Sequence, residues 1–169
     1  MDIKRYKEEV SAVDWHKYGG SLYYEPNKVP TALLALAIAD TESAEGIWKI
    51  EGMEPPNLLL NAKIKSDLLF AIGNNHSGAY YQAVQEALPF IIQVSLFGNH
   101  EVARNCAINI LIDLYYFCPV SGSSEELLRF VKETIKRTVN DNEENFRQFS
   151  NDYSRNKSLV TDLFGIIDE

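Results

Sequence analysis

From Ser66 to Ala103 the sequence contains no lysine and no arginine. The whole chain is short of cations, with 16 Lys and Arg against 24 Asp and Glu and a formal charge of −8. Phosphate backbones are gripped mainly by Lys and Arg, so nucleic acid is a poor partner. Docking on anionic lipid is disfavoured for the same reason. Long apolar runs are also missing. The longest near the start, Ala32 to Ala39, has eight residues, where a membrane span needs about 20. No apolar stretch follows the charged opening Met1 to Glu9, so no secretory signal is expected. The expectation is a cytoplasmic protein without membrane contact.

Cysteine is scarce, with only Cys106 and Cys118 present. Both fall on one expected helix, twelve positions apart, which separates them by about 18 Å at the helical rise. A disulfide needs Cα atoms within about 7 Å, so two buried thiols acting as small hydrophobes are expected. Catalytic signatures are equally sparse. There is no Gly-x-Ser-x-Gly elbow, no phosphate-binding glycine loop and no His-Glu-x-x-His. The histidines His16, His76 and His100 have no Cys or His at metal-ligand spacing. No catalytic residue, metal site or cofactor is therefore expected. The adjacent carboxylates Glu8-Glu9, Glu125-Glu126 and Glu143-Glu144 do not face one another on a helix and read as solvated faces or first turns.

Helical patterning is what the sequence has in quantity. With 169 residues and 46% hydrophobic side chains, it suits a single all-helical domain, 1–169. Residues 2–13 carry Ile3, Tyr6, Val10 and Val13 at helical spacing. Pro30 suits the first position of an apolar, buried helix over Thr31–Ala39. A short helix is expected over Ala44–Ile50. A helix over Leu58–Ile72 has Leu60, Ile64, Leu68 and Ile72 on one face, and Gly73-Asn74-Asn75 stops it. The next, Ala79–Phe97, contains Pro89, where a kink or break is expected. Then come Glu101–Phe117 and Glu125–Val139, the latter capped by Ser123 or Ser124. Residues 140–169 form a more polar C-terminal extension that docks by its last helix, through Leu159, Val160, Leu163, Phe164 and Ile167.

The expected helices fall into pairs, 58–72 with 79–97 and 101–117 with 125–139. The step from Leu58 to Glu101 is 43 residues, within the range of HEAT and armadillo repeats. The expected fold is thus all-α, a HEAT/armadillo-like short α-solenoid of stacked pairs, with a compact helical bundle as the alternative. Three segments carry a family likeness. They are Trp15-His16-Lys17-Tyr18-Gly19-Gly20 followed by Val29-Pro30-Thr31-Ala32-Leu33-Leu34; Asn75-His76-Ser77-Gly78-Ala79-Tyr80; and Ala83 through Ala87-Leu88-Pro89-Phe90-Ile91. In order and spacing, roughly residues 15–117 resemble bacterial HEAT-like repeat proteins. Ser77 departs from that pattern, which has Gln there, and the polar tail lies outside it. The resemblance implies no enzymatic activity. It implies a role like that of immunity or accessory proteins of toxin systems.

The charge pattern fits such a role. Residues 1–39 are balanced, and the excess of acid gathers between Asp40 and Glu101. Asp40, Glu42, Glu45, Glu51 and Glu54 stand against Lys49 alone, with Trp48, Tyr23, Tyr24 and Tyr80 as nearby aromatic anchors. Acidic groups with aromatics make a face for a basic protein partner. The expected function is a non-enzymatic protein-binding module, specifically an immunity protein masking a basic, nuclease-like toxin. The alternative is a scaffold or regulatory adaptor in a larger complex. Glycosylase chemistry on such a fold would need a basic groove, which residues 66–103 do not supply.

Overall fold

The computed structural model describes residues 1–18, 23–40, 56–120 and 125–167. Eight α-helices account for most of them: α1 (Ile3–Ala12), α2 (Lys28–Ala37), α3 (Pro56–Ile72), α4 (Val84–Phe97), α5 (Glu101–Tyr116), α6 (Glu125–Asp141), α7 (Glu143–Asp152) and α8 (Lys157–Gly165). The described residues are all-α in class apart from three two-residue strands, β1 (Gly73–Asn74), β2 (Ala79–Tyr80) and β3 (Cys118–Pro119). The short helix expected over 44–50 and the cap at Ser123 or Ser124 lie outside the described residues.

Local chemistry sets several boundaries. Asp2 accepts from the backbone N–H groups of Lys4 and Arg5 at 2.9 and 3.2 Å, which caps α1. Trp15 Nε1 donates to the Val10 carbonyl at 3.0 Å and so satisfies a carbonyl the helix end leaves open. In α2, Pro30 is the third residue and not the first. All first-turn N–H groups lack an intrahelical partner, so a proline there forfeits no bond. Pro89 does not break α4, which runs unbroken from Val84 to Phe97. It lies in the second turn, where the ring removes one bond, to the Gln85 carbonyl. Along α6, Leu127, Val131, Ile135 and Val139 make a fully buried stripe one turn apart.

The pairing of helices differs from the sequence expectation. The most extensive contacts join α4 to α5 and α2 to α3. The expected partner of 58–72, the helix over 79–97, starts only at Val84, and α3–α4 is not among the substantial contacts of the described residues. The reason lies between them. Residues 73–80 form a hairpin, with β1 antiparallel to β2, and β3 adds to β2 in parallel from beyond α5. A stitched loop replaces the tight turn that would have folded α4 back onto α3. α2 touches α4 and α3 touches α5, while α4 touches α6 and α5 touches α8. The core runs through all of them, with α5 near its centre, where Val102, Ala103, Cys106, Ala107, Ile110, Leu111 and Leu114 are buried.

The C-terminal segment packs on α5 through α8, with Val160, Leu163 and Ile166 buried. Of the five residues expected to dock, Leu159, Phe164 and Ile167 are only partly buried, because α8 begins earlier and ends at Gly165. The thiols also differ from expectation. Cys106 is buried in α5, but Cys118 is exposed and lies in β3. Among the described residues no helix is long and apolar enough to cross a membrane.

Candidate functional site

Helix α3 and the loop after it form a wall between two depressions. On one flank lies a cleft of about 690 Å³ toward α2. Glu25, Lys28 and Ala32 line it from the α2 side, Ile64, Asp67 and Phe70 from α3, and Asn74 and His76 from the loop. On the other flank, toward α5, is a groove of about 470 Å³ lined by Lys65, Ser66, Asn75, Asn105, Cys106 and Asn109. Alternate loop residues thus face opposite sides.

The loop between them is tightly specified. A Cβ on Gly73 would overlap the Ala79 carbonyl oxygen and lie 2.8 Å from Tyr80 Cα, so the β1–β2 approach requires glycine. Gly78 has φ 59°, which also favours glycine. The capping residue is Asn74, whose Oδ1 accepts from the His76 and Ser77 N–H groups at 3.1 and 3.4 Å. His76 is exposed and meets Phe70 edge to face, with ring centroids 4.9 Å apart.

The expected partner-binding residues separate sharply. Tyr23 stands 79% exposed at the mouth of the cleft. Tyr24 and Tyr80 are buried, at 8% and 0% exposure, and neither offers its ring to a partner. Tyr24 donates to the Trp15 carbonyl at 2.9 Å and packs edge-on to Tyr81. Burial pushes its hydroxyl pKa up to about 12. Tyr80 sits in β2 under the loop, and burial pushes its hydroxyl up to about 12 as well. Adjacent tyrosines in a sequence do not share an environment when one is at a turn and the next faces the core. Asp40 is half-buried past the end of α2. Glu42, Glu45, Trp48, Glu51 and Glu54 lie outside the described residues.

The cation-free run also reads differently in three dimensions. Asp67 pairs with Lys63 one turn away on α3. Glu86 accepts from the Tyr18 hydroxyl at 2.7 Å and from Lys17 Nζ at 3.0 Å. Those two donors, with Tyr18 the stronger, hold the Glu86 carboxyl below its usual range. Glu101 accepts from Asn156 Nδ2 at 2.8 Å. Each acid of the run thus finds a donor from outside it. Cys106 is fully buried, and desolvation pushes its thiol up to about 12, far from the ionised form that nucleophilic chemistry needs. His16 and His100 are exposed. Among the described residues no group of three or more His, Cys, Asp or Glu is placed to hold a metal ion.

Phe70, Glu25, Lys28 and Asp67 are lining residues that patterning did not single out. Phe70 carried a signal. It is aromatic but stands off the Leu60–Ile64–Leu68–Ile72 stripe, and it is 39% exposed. The class these features define is an all-helical protein with paired recessed surfaces. No family model, curated protein or solved structure matches the chain.

Proposed function

We propose that the chain is a non-enzymatic protein-binding module that receives a basic protein at the α2–α3 cleft. The observation that carries this reading is the exposed Tyr23 at the mouth of the cleft, with Phe70, Glu25 and Asp67 in its lining. Aromatic anchors beside carboxylates suit lysine and arginine side chains through cation–π and ionic contact. Glu25 and Asp67 are held only by exposed ion pairs, with Lys28 and Lys63. Such pairs contribute little, so a partner cation can displace them. The acidic segment from Asp40 to Glu54 follows α2 directly and adds long-range attraction for a basic surface.

The architecture belonging to this reading is a short α-solenoid of stacked pairs, α2–α3 and then α4–α5, with α6 packed on α4 and α5 and α8 on α5. Support comes from the order of the contacts, since each pair packs mainly on its neighbours. The specific role is that of a cytoplasmic immunity protein covering a nuclease-like toxin, as the HEAT-like resemblance implies. The regulatory-adaptor alternative draws on the second groove, because two recessed surfaces suit a bridge between partners.

The test is whether a basic protein encoded beside this chain binds it, read by calorimetry for affinity and by stopped-flow for the association rate, at low and high salt. Tyr23→Ala with Asp67→Asn is expected to weaken binding at least tenfold, and the association rate is expected to fall as salt rises. An unchanged affinity in the double variant excludes the cleft as the binding face. If no basic protein binds and co-expression gives no protection, the reading is wrong.

A further inference from the structure

We infer that the outer side of α6 is a docking site for an acidic peptide segment of a partner protein, held through its Asp and Glu carboxylates, with Lys132 and Lys136 over Tyr115 as the anchor. This surface is separate from the cleft. The substantial contacts of α6 are with α4, α5, α7 and β3, and neither α2 nor α3 is among them. The inference goes beyond the basic-partner reading and does not depend on it.

A cation taken partly out of water normally finds an acceptor, and two in this chain do. Half-buried Lys65 meets Asp113 at 2.8 Å. Half-buried Arg104 donates to the Ser95 carbonyl at 3.0 Å and to Asn145 Oδ1 at 2.6 Å. Lys132 and Lys136 are half-buried as well, yet among the described residues neither has an ion pair or a hydrogen-bonded acceptor. What they share is a single ring. Lys132 Nζ lies 4.8 Å and Lys136 Nζ 5.6 Å from the centroid of Tyr115, whose side chain is held in the core. A ring attracts each ammonium but does not cancel the repulsion between the two. A carboxylate bonded to both would.

The layout of charge selects the partner. Arg129, exposed and also without an ion pair among the described residues, stands three positions before Lys132. Arg129, Lys132 and Lys136 thus follow one side of α6, a stripe about 10 Å long at the helical rise. Cations strung along a line fit single carboxylates spaced along a peptide better than one compact phosphate dianion, which favours a converging Arg fork. A long polyanion fits worse. Glu133 stands one turn from both Arg129 and Arg137 and interrupts the face, and the net charge of −8 repels a nucleic-acid backbone or an anionic membrane at range. A short acidic segment has enough charge to neutralise the stripe and too little to be turned away by that field. Tyr116, 55% exposed and edge-on to Tyr115 with centroids 5.4 Å apart, offers its apolar stems a ring beside the stripe.

The test titrates the capped peptide acetyl-Glu-Ala-Glu-Ala-Glu-Ala-amide into the isotope-labelled full chain at low salt and follows the Tyr115 ring resonances by NMR. A saturable shift is expected, and the counterpart with Gln for Glu is expected to give none. Lys132→Gln with Lys136→Gln is expected to weaken binding about tenfold. Lys4→Gln with Lys7→Gln makes the same change of charge at exposed positions of α1 and is expected to leave binding within about twofold of the parent. The cleft variant, Tyr23→Ala with Asp67→Asn, is expected to bind the peptide like the parent, so failure here and failure at the cleft are distinguishable. The inference is overturned if the α1 variant loses as much affinity as the α6 variant, which would show bulk charge alone. It is also overturned if inorganic phosphate, a thymidine oligonucleotide or phosphatidylserine vesicles move the Tyr115 resonances at lower concentration than the peptide, or if no saturable shift occurs at millimolar peptide.

Discussion

The two flanks of α3 share one helix and one loop, yet they differ in every property that decides a ligand. The α2 flank is aromatic and charged, with Tyr23, Phe70, Glu25, Lys28 and Asp67. The α5 flank is amide-rich among the described residues, with Asn75, Asn105 and Asn109, and its Lys65 is paired with Asp113. An amphipathic helix usually divides into a buried face and a wet face. Here α3 packs on both α2 and α5, and among the described residues a recess opens on either side of it. Recognition surfaces of opposite character can therefore sit a helix width apart.

The shared loop is the place where that contrast is most easily broken. Gly73→Ala forces a methyl into the backbone of Ala79 and Tyr80. We expect a loss of about 3 kcal/mol, typical of overpacking against atoms that cannot move aside. It is measured as a lower urea midpoint, with resonance shifts on both flanks at once. A variant as stable as the parent would mean that the loop does not set the two surfaces.

A change behind one flank alone should sharpen the contrast. Asn156 is 3% exposed and links Asn105, at 2.5 Å, to Glu101, at 2.8 Å. Asn156→Leu removes the acceptor for one and a donor to the other, which costs about 2 kcal/mol for buried polar groups. Thermal unfolding measures the loss. The Asn109 amide resonance should move while those of Tyr23 and Phe70 stay in place. Movement at the cleft would show that the flanks are coupled.

The smallest effect belongs to Glu86, which lines neither surface. Its carboxyl is held below the usual range by Tyr18 and Lys17. A carboxyl with a lowered native pKa stabilises the fold fully above its unfolded pKa, and that contribution is lost as pH falls through the native value. Glu86→Gln should therefore lower Tm near neutral pH by about 1–2 °C, the scale of an exposed pair in a chain of this length. The difference should close as pH falls below that lowered native value. An equal deficit at pH 7 and pH 2.5 would rule out the ionic contribution.

Much of the helical skeleton was legible because helical periodicity is a local property. α3, α5 and α6 begin and end within two residues of the spacing of their apolar side chains, bounded by Gly73, Gly98 and Pro119. The two-residue strands were not legible. A strand of two residues has no alternation to detect, and its pairing depends on a segment some forty positions away, as in Ala79 with Cys118. The same limit hid the pairing of helices, which turned on how residues 73–80 close. At the cleft, the exposure of Tyr23 and the burial of Tyr24 and Tyr80 could not be read from composition. Identical residue types were sorted by the direction each backbone position faces.

Sequence alone determined the all-helical class, the placement of the apolar stripes and the overall excess of acid, since these depend on composition and on spacing along the chain. The tertiary structure alone decided which helices pair and which tyrosines face solvent. It also decided that Glu86 and Glu101 of the cation-free run meet Lys17 and Asn156. Those outcomes are set by which groups approach in space, and charge and hydrogen-bond energies fall off with that distance and not with separation along the chain.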